Sequence, residues 1–400
     1  MSMRAISAIF PVLTNRGQAK GIDDFMKKGR CKMKWLNGDR KKIVLMRFIA
    51  TLLLCRNLAR ADFILGEPVN LGPLVNSASH EYSPSISADG LSLYFHAKNR
   101  PGGYGDTDIW VATRPTIEEP WNEAMNLGPV INSTYKENSP CISNDNLELY
   151  FNSNLPGGNG VFMSRRATQD DFWGEPISIV DFSAGSGLSL SSDGLELYFS
   201  EYARPGGYGN HDIWVSKRTS REAPWGIPQV LPSPPNTAGR EDQPEISADG
   251  LALFFGSGEL GGNRNIYVST RATKEDAWGP ATNIGPSFSG GFIEEMHPSV
   301  WDEGLELYFT SSRQPNGDLP TGLWAQTDIW KASIIPIVDL NADGIVDAED
   351  MCIMVDNWGT DNKLCDIGPM PWGDGIVDVE DLIVLAEHLF EEFPPVESGQ

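Results

Sequence analysis

One segment of the sequence occurs five times, and this repetition limits the possible folds more than any other feature. The stretch SPSISADGLSLYF at 83–95 returns in related form at 139–151, 187–199, 243–255 and 297–309. An acidic residue, followed by glycine in four copies, marks the period: Asp89, Asp145, Asp193, Asp249 and Glu303, spaced 56, 48, 56 and 54 residues apart. A period of this length predicts an architecture built from repeated supersecondary units.

Each repeat contains several short apolar runs separated by turns. LSLYF and LELYF alternate with period two, which is typical of half-buried strands, and the acidic turn before them predicts a hairpin. A Gly-rich stretch and a second apolar run follow, as in GGYGDTDIWVATR at 102–114, and four copies continue into a Trp and a further strand. A lone four-stranded sheet would expose both faces. Radial packing of the copies buries those faces and predicts a β-propeller.

The two ends of the repeated region complement each other. The fifth copy stops at DIWKASIIP (328–336), without its Trp and fourth strand, whereas GEPVNLG (66–72) stands alone before the first copy. We therefore expect the N-terminal strand to complete the last sheet and to close a ring of five blades.

These motifs resemble the WD-like propeller repeats of the TolB protein and its relatives. The shared pattern runs from the Pro of the first strand through Asp-Gly and Leu-Tyr-Phe to Asp-Ile-Trp, and it covers residues 63–335. The resemblance implies a propeller fold. It implies little about function, because such propellers carry many unrelated activities.

A glutamate stands three residues before the proline of the first strand in four repeats. If that strand is innermost, the four carboxylates approach the mouth of the central channel, where they could bind a cation or a polar ligand. The alternative is that the glutamate belongs to the hydrogen bonding of the repeat itself, which would explain why it recurs. The four residues are Glu81, Glu137, Glu241 and Glu295.

Catalysis has weaker support than recognition. Glycoside hydrolysis needs two carboxylates roughly 5–9.5 Å apart, and no acidic residue departs from the repeat to single out such a pair. Asp108, Asp212 and Asp328 precede Ile-Trp and are expected to bind turns. We therefore expect a propeller that recognises glycan or protein. The alternative is a glycoside hydrolase or polysaccharide lyase with its site on the propeller axis.

The segment DLNADGIVDAED near the C-terminus has the ligand spacing of an EF-hand calcium loop. Oxygen ligands fall at positions 1, 3, 5, 7, 9 and 12, with glycine at position 6 and a backbone carbonyl at position 7. Ca²⁺ would neutralise carboxylates that otherwise repel one another. The predicted ligands are Asp339, Asn341, Asp343, Ile345, Asp347 and Asp350.

A partial second copy follows at 373–390. Asp374, Asp378 and Asp381 fill positions 5, 9 and 12, and Asp366 can be the first ligand only if the loop is four residues longer. Amphipathic helices are predicted after the loops, at 350–358 and 381–390.

Two such loop–helix copies resemble a type I dockerin. That family binds Ca²⁺ and docks onto cohesin modules of a scaffold or cell-surface protein, so the resemblance implies a cohesin partner. Ala348-Glu349 and Val379-Glu380 differ from the hydroxyl pairs often found before the last ligand, which leaves the particular cohesin open. A disulfide between Cys352 and Cys365 is equally open in an exported protein.

Charge is distributed unevenly along the chain. Residues 1–61 carry 14 Lys and Arg against 3 acidic residues, whereas residues 336–400 carry 1 against 16. Arg40, Lys41 and Lys42 precede an apolar run from Ile43 to Cys55, and the small-residue pattern Ala59-Arg60-Ala61 follows, as in a signal peptide. We expect a secreted or surface-associated protein. The acidic remainder excludes nucleic acid as a natural partner, and the mature chain is expected to have no membrane span.

The predicted fold is an all-β five-bladed β-propeller with a small C-terminal all-α calcium-loop domain. The predicted domains are a leader at 1–61 with its signal peptide at about 33–61 or 46–61, the propeller at 62–335, the dockerin-like domain at 336–393 and a tail at 394–400.

Overall fold

The structure is a computed structural model that describes twelve stretches of the chain. These are residues 63–155, 160–180, 187–258, 264–271, 273–284, 293–301, 305–314, 326–336, 338–340, 345–360, 365–367 and 376–390. The chain divides into two compact units. One spans Ile64–Ile335, and the other includes Pro336–Gln400. The predicted leader and the tail at 394–400 lie outside the described residues.

The first compact unit consists mainly of antiparallel β-sheet, in keeping with the period-two pattern of the repeats. The first repeat contributes β3 (His80–Ile86), β4 (Ser92–Lys98), β5 (Thr107–Thr113) and β6 (Met125–Asn126). The second contributes β7 (Glu137–Ile142), β8 (Glu148–Ser153), β9 (Gly160–Arg165) and β10 (Ile177–Val180). Each group forms a four-stranded meander in chain order.

The remaining repeats follow the same plan. The third contains β11 (Leu188–Leu190), β12 (Glu196–Tyr202), β13 (His211–Lys217) and β14 (Gln229–Val230). The fourth contains β15 (Arg240–Ile246), β16 (Ala252–Gly258), β17 (Asn265–Thr270) and β18 (Thr282–Asn283). A parallel pair between His211 and Arg240 joins these two groups into one sheet. The fifth contains β19 (Glu295–Trp301), β20 (Glu306–Ser311) and β21 (Asp328–Pro336).

The N-terminal strands pair with the last repeat. β2 (Val69–Asn70) is antiparallel to β21, with Val69 opposite Lys331 and Asn70 opposite Trp330. β1 (Phe63–Leu65) lies on the edge of the same sheet. The pairing predicted from the unmatched GEPVNLG segment is therefore present, and it joins residues more than 250 positions apart.

The first strands of the repeats surround an axis. Strands β3, β7, β11, β15 and β19 contact one another in this order, and β19 contacts β3 again. Tyr and Phe side chains of the second strands fill the space between sheets, and Phe95, Phe151, Phe199, Phe255 and Phe309 are all fully or almost fully buried. Sheets in closed cyclic contact form a β-propeller.

The innermost strands have a bulge next to the axis. The pairing register shifts between Tyr82 and Ser85 in the first repeat, and it shifts at the matching place in the second, fourth and fifth repeats. The first residue of each bulge has a left-handed backbone. The residues at this position, with the third repeat included, are Ser83, Ser139, Gly187, Gln243 and His297. A bulge of this kind redirects side chains close to the axis.

The described part of the C-terminal unit contains two short helices. Helix α1 is Ala348–Asp356 and helix α2 is Val379–Glu387, each beginning two residues before the predicted range. Asp347 and Asp378 cause this earlier start, because their carboxylates cap the helices by accepting the N–H groups of Glu349 and Glu380. Val346, Met354, Val377, Leu382 and Leu385 form the buried apolar cluster. No helix in the described stretches is long and apolar enough to cross a membrane.

Candidate functional site

The four recurring glutamates are buried, and each has bonds close to its own position in the chain. The Glu137 carboxylate accepts the backbone N–H of Ser133 at 2.9 Å, the Ser133 hydroxyl at 2.7 Å and the Ser153 hydroxyl at 3.0 Å. Glu241 makes the same two bonds with Thr237, at 2.9 and 2.6 Å. These carboxylates therefore hold the loop that leads into the innermost strand.

Glu81 and Glu295 vary this pattern by bonding to arginine. Glu81 accepts the Ser77 hydroxyl at 2.5 Å and lies 3.4 Å from Arg100, while Glu295 accepts Nε of Arg313 at 2.9 Å. Burial raises the pKa of Glu81 from 4.5 to about 7. The hydrogen bond from Ser77 and the charge of Arg100 lower this pKa, but their effect is smaller than that of burial. Burial also raises the pKa of Glu241 and Glu295. This geometry favours the alternative in which the glutamates belong to the repeat's own hydrogen bonding.

All three aspartates before Ile-Trp were predicted to bind turns, and two of them bind the glycine loops. Asp108 accepts the N–H groups of Tyr104 and Gly105, and Asp212 accepts those of Tyr208 and Gly209. Asp328 instead accepts the side-chain amide of Asn70 at 2.8 Å, in the sheet that the N-terminal strand completes.

Residues facing the axis differ from repeat to repeat, unlike the glutamates beside them. The position after the glutamate holds Tyr82, Asn138, Asp242 and Met296. Their direct partners on the adjacent second strand are His96, Asn152, Gly256 and Thr310, and Ser200 is the matching residue in the third repeat. We use the word mouth for the end of the axis where β3, β7, β15 and β19 begin. The chemistry available to a ligand is concentrated at these non-repeating positions.

Several of these side chains join neighbouring repeats beneath the mouth. The left-handed bulge residues direct their N–H groups toward the adjacent repeat. Ser83 donates to the Thr310 hydroxyl at 3.1 Å, Ser139 to Nδ1 of His96 at 3.2 Å and Gln243 to the Ser200 hydroxyl at 3.3 Å. In the fourth repeat Gly256 has no side chain to accept this bond, and Oε1 of Gln243 accepts the N–H of His297 at 3.0 Å instead.

Three histidines surround Tyr82 at the mouth. The ring centre of Tyr82 lies 5.3 Å from His96, 6.0 Å from His80 and 6.0 Å from His297. Burial lowers the pKa of His96 to about 3, and burial also holds the pKa of His297 well below its usual range. His96 and His297 are therefore neutral at physiological pH.

Charged groups lie at the mouth where the fourth repeat begins. Asp242 is fully buried and accepts Nε of Arg240 at 2.6 Å, and Nη1 of Arg264 lies 3.6 Å from the same oxygen. Arg264 also bonds Glu294 at 3.2 Å. Within the described stretches Oδ1 of Asp242, Nε of Arg264 and Nδ1 of His297 are buried without a hydrogen-bond partner. Such atoms are uncommon in folded proteins and need an explanation.

Little open space remains around the axis immediately below the mouth. A cavity of about 20 Å³ remains there, lined among others by Ser83, Ser139, Gln243, Glu245 and His297. This volume is about that of one water molecule. A second and larger cavity of about 440 Å³ lies by the N-terminal strand, lined by Asn70, Asn76, Gln314, Gln326 and Asp328 among others.

Tyrosines are exposed on the face that carries the mouth. Tyr104 and Tyr208 lie in the glycine loops between second and third strands, Tyr135 precedes β7 and Tyr202 ends β12. Their exposed fractions are 49%, 51%, 41% and 64%. Antiparallel pairing of His80 with Lys98 and of Lys98 with Thr107 shows that these loops share one face with the start of the innermost strand.

The two C-terminal loops are built in the same way. Asp350 accepts the N–H of Leu340 at 2.7 Å and that of Asp347 at 2.8 Å, and its side chain is fully buried. Asp381 accepts the N–H of Ile367 at 2.5 Å and that of Asp378 at 2.6 Å. Ile367 therefore corresponds to Leu340, which puts Asp366 at the position of Asp339. The second loop is four residues longer, the length that a role for Asp366 requires.

Each loop also contacts the chain that follows the other helix. The N–H of Gly359, after α1, donates to the Val377 carbonyl at 2.7 Å, and the N–H of Phe390, after α2, donates to the Val346 carbonyl at 2.7 Å. Gly359 and Phe390 share a left-handed backbone. The two copies are thus paired by backbone hydrogen bonds in both directions.

Other predictions for this unit have mixed outcomes. Asn341, Asp343 and Asp374 lie outside the described residues. Within the part that is described, no three acidic, His or Cys side chains are placed to hold a metal. Cys365 is a free, buried cysteine, so the disulfide considered between Cys352 and Cys365 is absent. The physical reason is packing, because the Cys365 side chain belongs to the apolar cluster with Val338 and Val346.

No family model matches the sequence, and no curated protein matches it. Solved structures resemble the fold. TolB of Acinetobacter baumannii has 12% identity and a TM-score of 0.41, over 65% of this chain and 56% of that chain. The GH43_1 enzyme of Xanthomonas citri with xylotriose has 13% identity and a TM-score of 0.48, over 67% and 89%. The α-L-arabinofuranosidase of Podospora anserina with cellotriose has 12% identity and a TM-score of 0.46, over 68% and 98%. Likeness at this level does not extend to function.

Proposed function

We propose that the protein is an exported, non-catalytic recognition module whose propeller binds polysaccharide. A calcium-dependent dockerin-like unit at its C-terminus would attach it to a cohesin-bearing assembly outside the cell or on its surface. The proposal gives the propeller five blades, one for each sequence repeat. The cyclic contacts of the five innermost strands support this number.

One observation carries the proposal for the propeller: exposed tyrosines and a polar mouth share one face. Aromatic rings at a surface offer flat apolar area with a hydroxyl at one end, and this combination suits the mixed apolar and hydroxylated faces of sugars. Tyr104, Tyr135, Tyr202 and Tyr208 supply the rings. Tyr82, Asp242 and Arg264 supply polar groups at the mouth between them.

The alternative function is a glycoside hydrolase or polysaccharide lyase with its site on the axis. The observation that favours it is the pair of carboxylates on either side of the Arg264 guanidinium, those of Asp242 and Glu294. Against it, both carboxylates are already engaged in ion pairs within the protein, Asp242 with Arg240 and Arg264, and Glu294 with Arg264. We therefore retain recognition as the proposal.

The C-terminal unit is proposed to bind Ca²⁺ through its two loops. The donor set consists of carboxylate, amide and backbone oxygens, which suits a hard cation. The matched bonds of Asp350 and Asp381 hold the last acidic residue of each loop beside its first residues, as a closed loop requires. Asp339, Asn341, Asp343, Ile345, Asp347 and Asp350 would hold one ion, and Asp366, Asp374, Asp378 and Asp381 would contribute to the other. Bound Ca²⁺ would supply the positive charge among these oxygens.

Affinity electrophoresis tests the proposal for the propeller. The purified protein is run through native gels that contain either a neutral or an acidic polysaccharide, next to gels without polymer. We expect retardation by at least one neutral polysaccharide and weaker retardation of the double variant Tyr104→Ala, Tyr208→Ala. Equal mobility in every gel would contradict the proposal. Phe172→Ala is the matched control, because Phe172 is 98% exposed but lies between the third and fourth strands of its sheet.

A further inference from the structure

We propose that the larger cavity, by the N-terminal strand, binds one neutral sugar residue of the polysaccharide through its hydroxyl groups. We call it the closure cavity, because it lies where the N-terminal segment meets the last repeat. This inference rests on the proposed function and deepens it, because it names the class of sugar and the place that holds it. The lining residues that carry the argument are Asn70, Ser77, Ala78, Gln314, Gln326 and Asp328.

The first step is the available space. The closure cavity has a volume of about 440 Å³. Pockets that hold small molecules measure roughly 300–1,000 Å³. The cavity on the axis below the mouth has only about 20 Å³, which is too little for a sugar residue. Of these two cavities, the closure cavity is therefore the one that can take such a ligand.

The second step is a comparison with the first and third repeats, where the glycine loop closes the matching place. Asp108 accepts two N–H groups of that loop, and a Cβ at Gly105 would lie 2.1 Å from the Tyr135 carbonyl oxygen. The third repeat is closed in the same way around Asp212. The GGYG motif of these loops is absent from the fifth repeat, where the aspartate is Asp328. The cavity thus coincides with a departure from the repeat.

The third step is the bonding of the Asp328 carboxylate, which faces the cavity. Asp328 is buried, and its carboxylate accepts the Asn70 amide at 2.8 Å and the Gln326 amide at 3.4 Å, close to the limit of a hydrogen bond. It does not receive the pair of backbone N–H groups that Asp108 receives. Burial raises the pKa of Asp328, and the two amides lower this pKa by less. Further donors from a ligand would therefore stabilise the ionised carboxylate.

The amide side chains on the lining add both acceptors and a donor. In the described stretches Gln314 and Gln326 use their N–H groups, on backbone carbonyls and on Asp328, which leaves their amide oxygens for a ligand. The amide nitrogen of Asn70 has two hydrogens, of which one points to Asp328. A ligand with several hydroxyls can donate to the oxygens and accept from Asn70 at the same time.

The fourth step concerns the charge of the ligand. Asp328 is the only charged side chain among the described residues that line the cavity. An acidic sugar would bring its carboxylate against that of Asp328 and meet a like charge. A calcium ion takes several charged or carbonyl oxygens at close range, and one carboxylate in a space of this size does not provide such a cage. A neutral sugar meets neither difficulty.

The fifth step is the position of the closure cavity on the face that carries the exposed tyrosines. Ser77 and Gln326 lie just before β3 and β21, and both strands begin at that face. The hydroxyl of Ser79, next to Ala78, donates to the Asn99 carbonyl at 3.2 Å, in the loop that continues to Tyr104. A polysaccharide with one residue in the cavity can therefore continue across the face toward this loop.

Titration calorimetry with methyl glycosides tests the inference. The neutral probes are methyl α-D-mannoside, methyl β-D-galactoside and methyl β-D-xyloside, and the acidic probe is methyl β-D-glucuronide. We expect at least one neutral glycoside to bind more tightly than the glucuronide. Its affinity should fall about tenfold or more in Ala78→Trp, which fills the cavity without removing a polar group, a loss that corresponds to about 1.4 kcal/mol. Gln326→Ala should cause a loss in the same direction.

Ala238→Trp is the matched control, because Ala238 is the exposed alanine at the same place of the third repeat, outside the closure cavity. Ala78 is also exposed, so both variants should fold. Equal binding by Ala78→Trp and the unaltered protein would overturn the inference. Tighter binding of the glucuronide than of every neutral glycoside would also overturn it.

The gels with polysaccharide separate failure of the cavity from failure of the proposed function. Absence of binding by all three neutral glycosides overturns the inference. If the polysaccharide gels still show retardation, the proposed function stands and only the cavity fails. Absence of retardation in every gel would instead contradict the proposed function itself.

Discussion

The guanidinium of Arg114 lies over the ring of Trp121, with 4.4 Å between its central carbon and the ring centre. The pair recurs seven residues apart in four repeats. The other pairs are Arg166 with Trp173, Arg218 with Trp225 and Arg271 with Trp278, at 4.4, 4.5 and 4.2 Å. In each repeat Nε of the arginine also donates to a carbonyl of the acidic turn, namely that of Gly90, Asn146, Gly194 or Gly250. One side chain thus connects the turn with the outer part of each sheet.

This contact predicts a cost for Arg114→Lys. Lysine keeps the charge but cannot stack as a plane or donate in the same fork, so the Gly90 and Ile117 carbonyls lose their partner. We expect the free energy of unfolding to fall by about 1–3 kcal/mol. Urea unfolding followed by tryptophan fluorescence measures the change. Arg165→Lys, at an arginine side chain that is 47% exposed and whose charge can still pair with the buried Glu148, should stay within about 0.5 kcal/mol. Equal stability of the two variants would contradict the role assigned to Arg114.

A second prediction separates a structural role of Glu137 from a binding role. Glu137→Ala leaves the Ser133 and Ser153 hydroxyls and the Ser133 N–H without their acceptor in a buried place. We expect a loss of about 2–4 kcal/mol in the free energy of unfolding. Polysaccharide retardation at a temperature where the variant is folded should be unchanged. An unchanged stability together with lost retardation would assign Glu137 to the ligand instead. Glu175→Ala, at an exposed site, is the control.

A third prediction concerns pH. Burial raises the pKa of Glu81 to about 7, so the folded protein holds this proton more tightly than the unfolded chain does. The resulting stabilisation is complete below pH 4.5 and is lost as the pH rises from 4.5 to 7, at roughly 1.4 kcal/mol for each pKa unit. Glu81→Gln resembles the protonated acid and should lose less stability over this range. Urea unfolding at pH 5 and pH 7.5 compares the two proteins. Identical pH dependence would contradict the raised pKa.

A fourth prediction concerns calcium. With a chelator, repulsion among the loop carboxylates should loosen the C-terminal unit, since metal binding and folding of such loops are coupled. We expect amide hydrogen exchange in 346–390 to accelerate at least tenfold, while exchange in β4, β8 and β16 stays the same. Asp350→Asn should have the same effect in the presence of Ca²⁺, and Asp356→Asn, outside the loops, should have none. Exchange that does not respond to the chelator would contradict calcium binding.

The hydrogen bonds between the two loops extend the calcium prediction, because a change in one loop should affect the other copy as well. Gly359 and Phe390 connect each copy to the other loop, so Asp381→Asn should also accelerate exchange around α1. Fast exchange confined to 365–390 in Asp381→Asn would show that the copies fold independently. The reaction of Cys365 with a thiol reagent gives a second measure, because its thiol is buried in the folded unit.

The repeats made the sheets and their ring closure predictable. The alternation of period two identified the strands, because it is a local property of the sequence. The missing fourth strand of the last repeat and the unmatched segment at 66–72 then predicted the pairing of β2 with β21. The turn-binding roles of Asp108 and Asp212 followed from the same local chemistry. The helices of the C-terminal unit were also predictable, apart from the two residues at each start that the caps Asp347 and Asp378 decide.

The sequence analysis considered a site at the mouth on the recurring glutamates and missed the non-repeating residues beside them, for a reason that concerns side-chain direction. Neighbouring residues on a strand point to opposite faces, so a shift of one residue decides whether Glu241 or Asp242 faces the axis. The sequence contained a signal for the correct choice. A column of residues that differs among the repeats, as at Tyr82, Asn138, Asp242 and Met296, is not needed to build the repeat. The seven-residue spacing of Arg and Trp was a second overlooked signal.

The measurement that tests the central claim most directly follows binding and cleavage in one sample. The purified protein is incubated with Ca²⁺ and each neutral or acidic polysaccharide, and both the sedimented protein and the new reducing ends are determined. We expect co-sedimentation with at least one polysaccharide and no new reducing ends. New reducing ends that disappear in Asp242→Asn and in Glu294→Gln would show an enzyme and would contradict the account of a recognition module.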